Sequence, residues 1–264
     1  MNDEAIEKAA RILARTRLDG TPLGSLPEDC RPQGAREAYE IQDALHDVLR
    51  AAGLGAVAGY KVGCTTPVMQ RFMGIDHPCA GGVFDTTVAH QAGGFRFADF
   101  CRVGVECEIV VRLGQSLPAE AAPYTRDTVA GAVAACMAGI EVVDDRYEDF
   151  RSLDIWTMAA DDFFNAGCVL GAPVADFADL DLASLTGRMT INGAEVGSGL
   201  GRDVLGHPLE ALAWYANLKA GRGQALPAGA FVMLGSVVET QWLRAGDRVE
   251  VFVEGLGRAR ADFD

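Results

Sequence analysis

Apolar residues recur at helical spacing in two stretches of the first fifty positions. The stretches cover residues 4–17 and 34–51, and each sets its apolar residues three or four positions apart, as one face of an amphipathic helix requires. The apolar positions are Ile6, Ala9, Ala10, Leu13 and Ala14 in the first stretch and Ala38, Ile41, Leu45, Val48 and Leu49 in the second. The pattern predicts two N-terminal helices. Residues 21–34 between them are rich in proline and glycine and predict an irregular connection.

From about residue 53 the pattern changes to short apolar runs broken by glycine, which is typical of strands and tight loops. Residues 103–114 predict a strand, 125–139 a helix and 140–146 another strand. The runs at 231–243 and 247–263 have period-2 stretches, as in an antiparallel meander. The fold class expected is α+β, a mixed β-roll or barrel, because a doubly wound sheet would need more regular alternation with helices.

The composition is that of a globular chain. With 264 residues, 49% of them hydrophobic, the chain can form one large domain or two small ones around a substantial core. It has no apolar run of about 18 residues and a charged N-terminus, so we expect a soluble, cytoplasmic protein. Seven cysteines without a CxxC pair also favour a reducing compartment. The net charge of -14 argues against nucleic acid and anionic membranes as partners.

Two glutamates in one predicted strand are the first candidates for chemistry. In the sequence Val-Glu-Cys-Glu-Ile at 105–109, Glu106 and Glu108 point to the same face, about 6–7 Å apart along the strand. Two carboxylates on one face repel each other unless positive charge lies between them. A hard divalent cation such as Mg²⁺ or Mn²⁺ prefers such oxygen ligands and leaves positions open for water or substrate.

Glu141 is the third candidate, because it lies in an apolar run between Ile140 and Val142 that reads as a buried strand. An unpaired charge there would cost several kcal/mol, so Glu141 needs a partner, and a shared metal ion would supply one. The alternative is that Glu106 and Glu108 lie on a solvated face and that Glu141 pairs with a basic residue such as Arg146.

Six segments of the chain, taken together and in order, resemble a known group of enzymes. They are GYKVGCTTPVMQRFMGID, VGVECEIVVRLG, GIEVVDDRY, DDFFNAGCVLG, VLGHPLEALAWYAN and FVMLGSVVE. The resemblance is to the 2-keto-4-pentenoate hydratase and 4-oxalocrotonate decarboxylase group of the fumarylacetoacetate hydrolase superfamily, and it extends from about residue 34 to the C-terminus.

The resemblance implies a mixed β-roll of the fumarylacetoacetase C-terminal-domain type, preceded here by the helical segment. It implies Mg²⁺ or Mn²⁺ held by Glu106, Glu108 and Glu141, a catalytic lysine at Lys61, and a homo-oligomer. We expect an N-terminal helical and mixed segment at 1–98 and a metal-binding catalytic β-roll at 99–264, forming one compact unit.

The chain departs from the group at one position, because Cys79 stands where members commonly have an aspartate with an acid/base role. Cys79 would be either a packing replacement or a substrate contact, and Asp76 and Asp85 are candidates for the missing carboxylate. Two further residues are candidate substrate contacts: Ser236, in the Gly-Ser turn, and His207, in the VLGHP segment.

The function implied is addition of water to a 2-hydroxy-2,4-dienoate, giving a 4-hydroxy-2-oxo acid in the catabolism of aromatic compounds. The metal would chelate the substrate's C1 carboxylate and C2 oxygen, and Lys61 would hydrogen-bond the developing oxyanion or transfer the proton. One alternative is decarboxylation of a 2-oxo-3-enedioate such as 4-oxalocrotonate. An alternative of another class is a non-catalytic subunit that binds a metabolite or partners an active relative.

Overall fold

The computed structural model describes residues 1–264 and contains six α-helices. They are α1 (Asp3–Asp19), α2 (Ala35–Leu49), α3 (Pro67–Met73), α4 (Arg126–Ala130), α5 (Ile155–Ala160) and α6 (Pro208–Gly221). The first two confirm the helices expected from the apolar spacing. Asn2 caps α1, since its side chain accepts a hydrogen bond from the Ala5 amide, and Gly20 ends this helix in a left-handed conformation. None of the helices combines the length and the apolar character that crossing a membrane requires.

Twelve strands form one mixed sheet. They are β1 (Val57–Gly63), β2 (Cys79–Phe84), β3 (Val88–His90), β4 (Ala92–Phe95), β5 (Val103–Leu113), β6 (Val133–Asp144), β7 (Asn165–Leu170), β8 (Thr186–Ile191), β9 (Ala194–Leu200), β10 (Phe231–Trp242), β11 (Arg248–Val253) and β12 (Gly257–Phe263). Their order is β2-β1-β10-β5-β6-β7-β3-β4-β12-β11-β8-β9. Three pairs are parallel, β1 with β10, β3 with β7 and β4 with β12, and the other pairs are antiparallel.

The sheet curls over itself into a roll. Strand β12 packs against β6, and β9 packs against β10, although neither pair is adjacent in the sheet. The main hydrophobic core fills the space enclosed in this way. A second core packs α1 and α2 against the segment that contains α5. The α+β roll with an N-terminal helical segment is therefore confirmed. Strands from before and after residue 98 belong to the same sheet. The predicted division of the chain into segments 1–98 and 99–264 stays a prediction.

The helix predicted for residues 125–139 is wrong in its second half. Thr125 and Thr128 form a capping box that starts α4, but the helix ends at Ala130, and β6 begins at Val133. From Ala135 onward β6 is buried, and it pairs with β5 along this length and with β7 from Gly139 to Val143. A strand buried on both faces has no polar alternation, so its alanine-rich sequence resembles a helix until its neighbours are known.

The predicted C-terminal meander is also only partly correct. Strands β11 and β12 form an antiparallel pair, as expected. Strand β10 instead lies between β1 and β5, in another part of the sheet. The position of β10 depends on pairing with strands more than a hundred residues earlier in the chain, which local periodicity does not encode.

The central position of β6 leads to a prediction about stability. Ile140 is fully buried between Cys107 of β5 and Val169 of β7. We expect Ile140→Ala to lower the free energy of unfolding by about 2–5 kcal/mol, because the protein loses apolar burial and gains a cavity. Urea unfolding followed by circular dichroism measures the loss. The control is Val196→Ala on the exposed strand β9, which should change stability by less than about 0.5 kcal/mol. A similarly small effect for Ile140→Ala would show that β6 is not central to the core.

Candidate metal centre and active site

The structure brings Glu106, Glu108 and Glu141 together at the centre of the sheet. Glu106 lies directly opposite Glu141 in the antiparallel register of β5 and β6, and Glu108 follows two residues along β5 on the same face. One carboxylate oxygen from each residue lies within 4.8 Å of those of the other two. Glu108 and Glu141 are fully buried, whereas Glu106 is partly exposed. The cluster is therefore open to incoming ligands on the side of Glu106.

Lys61 of β1 supplies the nearest positive charge. Its Nζ atom lies 3.1 Å from Oε1 of Glu141, and the residue is only 2% exposed. Burial lowers the pKa of Lys61, but the charges of Glu141, Glu106 and Glu108 outweigh that effect, so the net pKa is raised. Lys61 is therefore an ammonium group here. The Phe163 ring covers it at 5.1 Å from Nζ to the ring centroid.

Other contacts fix the orientation of each carboxylate. The Asn165 side-chain amide donates to Oε1 of Glu141 at 2.9 Å, and the Gly235 amide donates to Oε2 of Glu108 at 2.8 Å. The Thr240 hydroxyl donates to Glu106. Gly235 has a φ of 117°, and a Cβ there would lie 2.3 Å from the Thr65 hydroxyl oxygen, so only glycine fits this position.

Four residues of this centre were not predicted from the sequence: Asn165, Thr240, Gly235 and Phe163. Two of them lie in the segment DDFFNAGCVLG and two within or beside FVMLGSVVE. A polar asparagine at the start of an otherwise apolar strand was the one local signal available, because a buried amide needs a hydrogen-bond partner.

The three carboxylates fit a divalent cation. Oε1 of Glu108 and Oε2 of Glu141 are buried and have no hydrogen-bond partner. Burial raises the pKa values of Glu106 and Glu108, and the charge of Glu141 raises both further. Three carboxylates beside one ammonium leave two negative charges uncompensated when all are ionised. A divalent cation would supply this charge, and the hard oxygen donors suit such an ion.

Arg146 does not pair with Glu141, so that alternative is wrong. Its guanidinium contacts Oδ2 of Asp161 at 3.1 Å and donates to the backbone carbonyl of Asn165 at 3.0 Å. Lys61 and Arg146 are the only buried basic residues of the chain. Lys61 is thus the one buried cation that contacts the carboxylate cluster.

Cys79 begins β2 and pairs with Gly63, two residues beyond Lys61 on β1. The residue is 1% exposed. A hydrogen bond with Cys64, together with burial, raises the pKa of its thiol well above the ordinary value. The thiol is therefore protonated at neutral pH and is unsuited to act as a base. Asp76 lies instead in an outer cavity, and Asp85 is exposed beside Gly55.

Ser236 and His207 are engaged with the backbone. The Ser236 hydroxyl lies 2.5 Å from the Val238 carbonyl and 3.3 Å from that of Cys107. His207 caps α6, and its Nδ1 accepts a hydrogen bond from the Leu209 amide at 3.1 Å. Burial lowers the pKa of His207. Neither side chain forms a hydrogen bond with the carboxylates, and their contact with substrate stays a prediction.

His207 lines a cavity of about 580 Å³ beside the centre. The cavity shares its wall with the site, since the Leu205 amide donates to the Thr65 carbonyl and Thr65 packs on Gly235. Its charged residues are Asp76, Arg126 and Glu210, and its aromatic wall is Trp214 with the stacked ring of His77. The carboxylates outnumber the guanidinium here, so the cavity offers little attraction to a second anionic group.

Residues 82–264 match the family described as fumarylacetoacetate (FAA) hydrolase C-terminal. The chain belongs to this family. It is 32% identical to a 2-keto-4-pentenoate hydratase of Paraburkholderia phymatum over 99% of this chain and 98% of the relative. It is 30% identical to a 4-oxalocrotonate decarboxylase of Pseudomonas putida over 100% of this chain and 98% of that relative. The expected resemblance is confirmed, and the chain is an enzyme of this family.

A solved structure extends the likeness to the whole fold. The 4-oxalocrotonate decarboxylase from Pseudomonas putida G7, complexed with magnesium and adipate, superimposes with a TM-score of 0.92 at 29% identity, over 100% of this chain and 99% of the other. The same protein complexed with calcium and acetate gives a TM-score of 0.91. These metal-bound structures and the carboxylate cluster of this chain together support a divalent metal ion as its cofactor.

The carboxylate cluster predicts how metal binding responds to substitution. We expect Glu106→Gln to weaken Mn²⁺ binding by about tenfold or more, because removing one charged oxygen ligand reduces both the charge and the donor strength of the site. Calorimetry or the electron paramagnetic resonance of free Mn²⁺ measures the affinity. The matched control is Glu239→Gln, the same change at an exposed position of β10. Wild-type affinity in Glu106→Gln would exclude Glu106 as a ligand.

Proposed function

We propose that this enzyme is a divalent-metal-dependent hydro-lyase. It adds water to a 2-hydroxy-2,4-dienoate of the 2-keto-4-pentenoate type, giving a 4-hydroxy-2-oxo acid, in the catabolism of aromatic compounds. The observation that carries the proposal is the buried cluster of three carboxylates in contact with the ammonium of Lys61. Relatives of full-length similarity named 2-keto-4-pentenoate hydratase and 2-hydroxyhexa-2,4-dienoate hydratase support it.

Glu106, Glu108 and Glu141 would hold Mg²⁺ or Mn²⁺. Both ions prefer oxygen ligands, and the magnesium complex of the similar decarboxylase supports the choice. When bound, the cation supplies Lewis-acid polarisation of the substrate's oxygen atoms. Hydrogen bonds from Asn165 and Gly235 keep the ligand side chains in place, which reduces the reorganisation needed when substrate binds.

Lys61 would donate a hydrogen bond to the substrate oxygen on which negative charge develops. The contact with Glu141 fixes the position of its ammonium, and the Phe163 ring shields it from water. A charged donor in a buried site stabilises a developing oxyanion more than the same donor in water does. Because the Cys79 thiol is protonated, Lys61 is also the side chain best placed to transfer a proton.

Decarboxylation of a 2-oxo-3-enedioate is the second candidate, supported by relatives named 4-oxalocrotonate decarboxylase and by the adipate complex. Its substrate carries a second carboxylate at the far end, which would need a basic partner in a partly desolvated site. Arg146 is paired with Asp161, and Arg126 shares the outer cavity with two acidic residues. The distribution of charge therefore favours a substrate with a single carboxylate.

The two candidates predict different substrates. We expect the purified protein with Mg²⁺ to consume 2-hydroxypenta-2,4-dienoate, which lowers its ultraviolet absorbance as water breaks the conjugation, and to release no CO₂ from 2-oxohex-3-enedioate. Spectrophotometry and a coupled CO₂ assay on the same preparation measure both. EDTA should abolish turnover and added Mg²⁺ or Mn²⁺ should restore it. Stoichiometric CO₂ from the dioate, with the dienoate untouched, would reverse the ranking, and no turnover of either compound would reject both substrates.

Lys61 provides a separate prediction about catalysis. Lys61→Ala should lower kcat by about 30- to 1,000-fold, because loss of a charge-assisted contact formed mainly in the transition state costs about 2–4 kcal/mol. Steady-state kinetics on the dienoate measures the change. Lys8→Ala is the control, since Lys8 is an exposed lysine paired with Asp29. Wild-type kinetics in Lys61→Ala would remove Lys61 from the mechanism.

A homo-oligomer and a cytoplasmic location complete the proposal. Several large apolar side chains are exposed on the single chain, among them Val68 at 65% and Phe72 at 58%, and association of subunits would cover such surface. All seven cysteines are free thiols, which is typical of proteins in a reducing compartment.

A further inference from the structure

Three consecutive residues beside the metal centre have left-handed backbone conformations, and none of them is glycine. The φ angles of Asp162, Phe163 and Phe164 are 52°, 45° and 69°. Residues with a Cβ rarely adopt this region, and each such residue costs about 1–3 kcal/mol unless the surrounding structure compensates. A turn of this kind therefore needs contacts that hold it in place.

Asp162 supplies several of these contacts, and Arg146 supplies others by donating to the backbone carbonyls of Asp161 and Asn165. Its fully buried carboxylate accepts a hydrogen bond from the Gly82 amide at 2.7 Å and contacts Nε2 of His46 at 2.7 Å. Its other oxygen lies 2.9 Å from the guanidinium of Arg17. Burial raises the pKa of Asp162, but the charges of His46 and Arg17 outweigh it, so the net pKa is lowered and the residue is ionised. On the other side of the turn, Gly81 lets strand β2 approach Asp162 closely, because a Cβ at Gly81 would lie 2.5 Å from the Asp162 carbonyl oxygen.

The turn carries two side chains into the centre. The Phe163 ring, one residue after Asp162, covers the ammonium of Lys61. Asn165, three residues after Asp162, donates to the same oxygen of Glu141 that Lys61 contacts. The conformation at 162–164 therefore sets the position of the Phe163 ring over Lys61 and the direction in which the chain enters β7 at Asn165, which is paired with Val143 of β6.

We propose that Asp162 is a positioning residue for the metal centre. Arg17 of α1 and His46 of α2 hold its carboxylate, the carboxylate holds the left-handed turn, and the turn presents Phe163 to Lys61 and Asn165 to Glu141. The N-terminal helices, which contribute no ligand to the centre, thus act on it through one buried side chain. The inference rests on the proposed function in that it takes the carboxylate cluster to be a metal site.

The test is Asp162→Asn, which preserves size and removes the charge. We expect the variant to bind Mn²⁺ about tenfold more weakly and to lose at least about tenfold in kcat, as is typical when a residue that orients a metal ligand is removed. KM for the dienoate should change less than kcat. The crystal structure of the variant should show the 2.9 Å contact between Asn165 and Glu141 broken or lengthened.

Two further variants complete the design. Asp43→Asn is the matched control, because it removes a partly exposed carboxylate of α2 that pairs with Arg222 at 2.7 Å and makes no contact with Asp162, and it should leave Mn²⁺ affinity unchanged. His46→Gln replaces the imidazole that contacts Asp162 with a neutral amide of different reach, and it carries the test if Asp162→Asn fails to fold. We expect it to weaken Mn²⁺ binding by about threefold or more, the effect of one lost or weakened hydrogen bond.

The outcomes separate the inference from the proposed function. Wild-type Mn²⁺ affinity and kcat in a folded Asp162→Asn or His46→Gln, with the contact between Asn165 and Glu141 intact, would overturn the inference and limit Asp162 to stabilising the fold. The other outcome is that the wild-type protein binds Mn²⁺ and the variants bind it more weakly, as expected, but the protein does not hydrate the dienoate. That result would support the inference and reject the proposed reaction.

Discussion

Three carboxylates and one ammonium share the buried centre of the sheet, and the surrounding architecture serves to hold this excess of negative charge in place. Removing a carboxylate from water costs several kcal/mol unless charge or hydrogen bonds compensate. Lys61 contacts only one of the three carboxylates directly, and two of their oxygens have no hydrogen-bond partner. The fold therefore maintains an incomplete charge balance, which is the property that a cation-binding site requires.

The sheet topology explains how so many groups reach one point. Glu106 and Glu108 come from β5, Glu141 from β6 and Lys61 from β1, and β10 lies between β1 and β5. Residues on paired strands are fixed relative to each other by the ladder of backbone hydrogen bonds, so the distances between these side chains depend little on loop conformation. The exception is the turn before β7, and there a buried carboxylate replaces the ladder as the rigid support.

Local sequence patterns predicted those parts of the site that depend on a single strand. The spacing of Glu106 and Glu108 places both on one face wherever the strand lies, and the apolar neighbours of Glu141 require it to have a partner. The alanine-rich run at 133–139 reads as a helix in the sequence, and it is a strand because it pairs with β5 along its whole length and is buried from Ala135 onward, which only the tertiary structure shows. Asn165, Thr240 and Gly235 were missed for a related reason. Their partners are 24, 134 and 127 residues away in the chain, and nothing in a local window indicates such pairings.

The same charge balance explains why a cysteine is tolerated at position 79, where similar enzymes commonly have an acid/base aspartate. A carboxylate at this position would be a fourth negative charge in a region where Lys61 is the only buried cation in contact with the cluster. A protonated thiol adds none, and it packs in the second hydrophobic core as a small apolar group. In the proposed reaction, the proton transfer that an aspartate would perform is assigned to Lys61 or to water. The charges of Glu141, Glu106 and Glu108 raise the pKa of Lys61, so the same excess of negative charge that suits a cation also keeps this lysine protonated and able to donate a hydrogen bond.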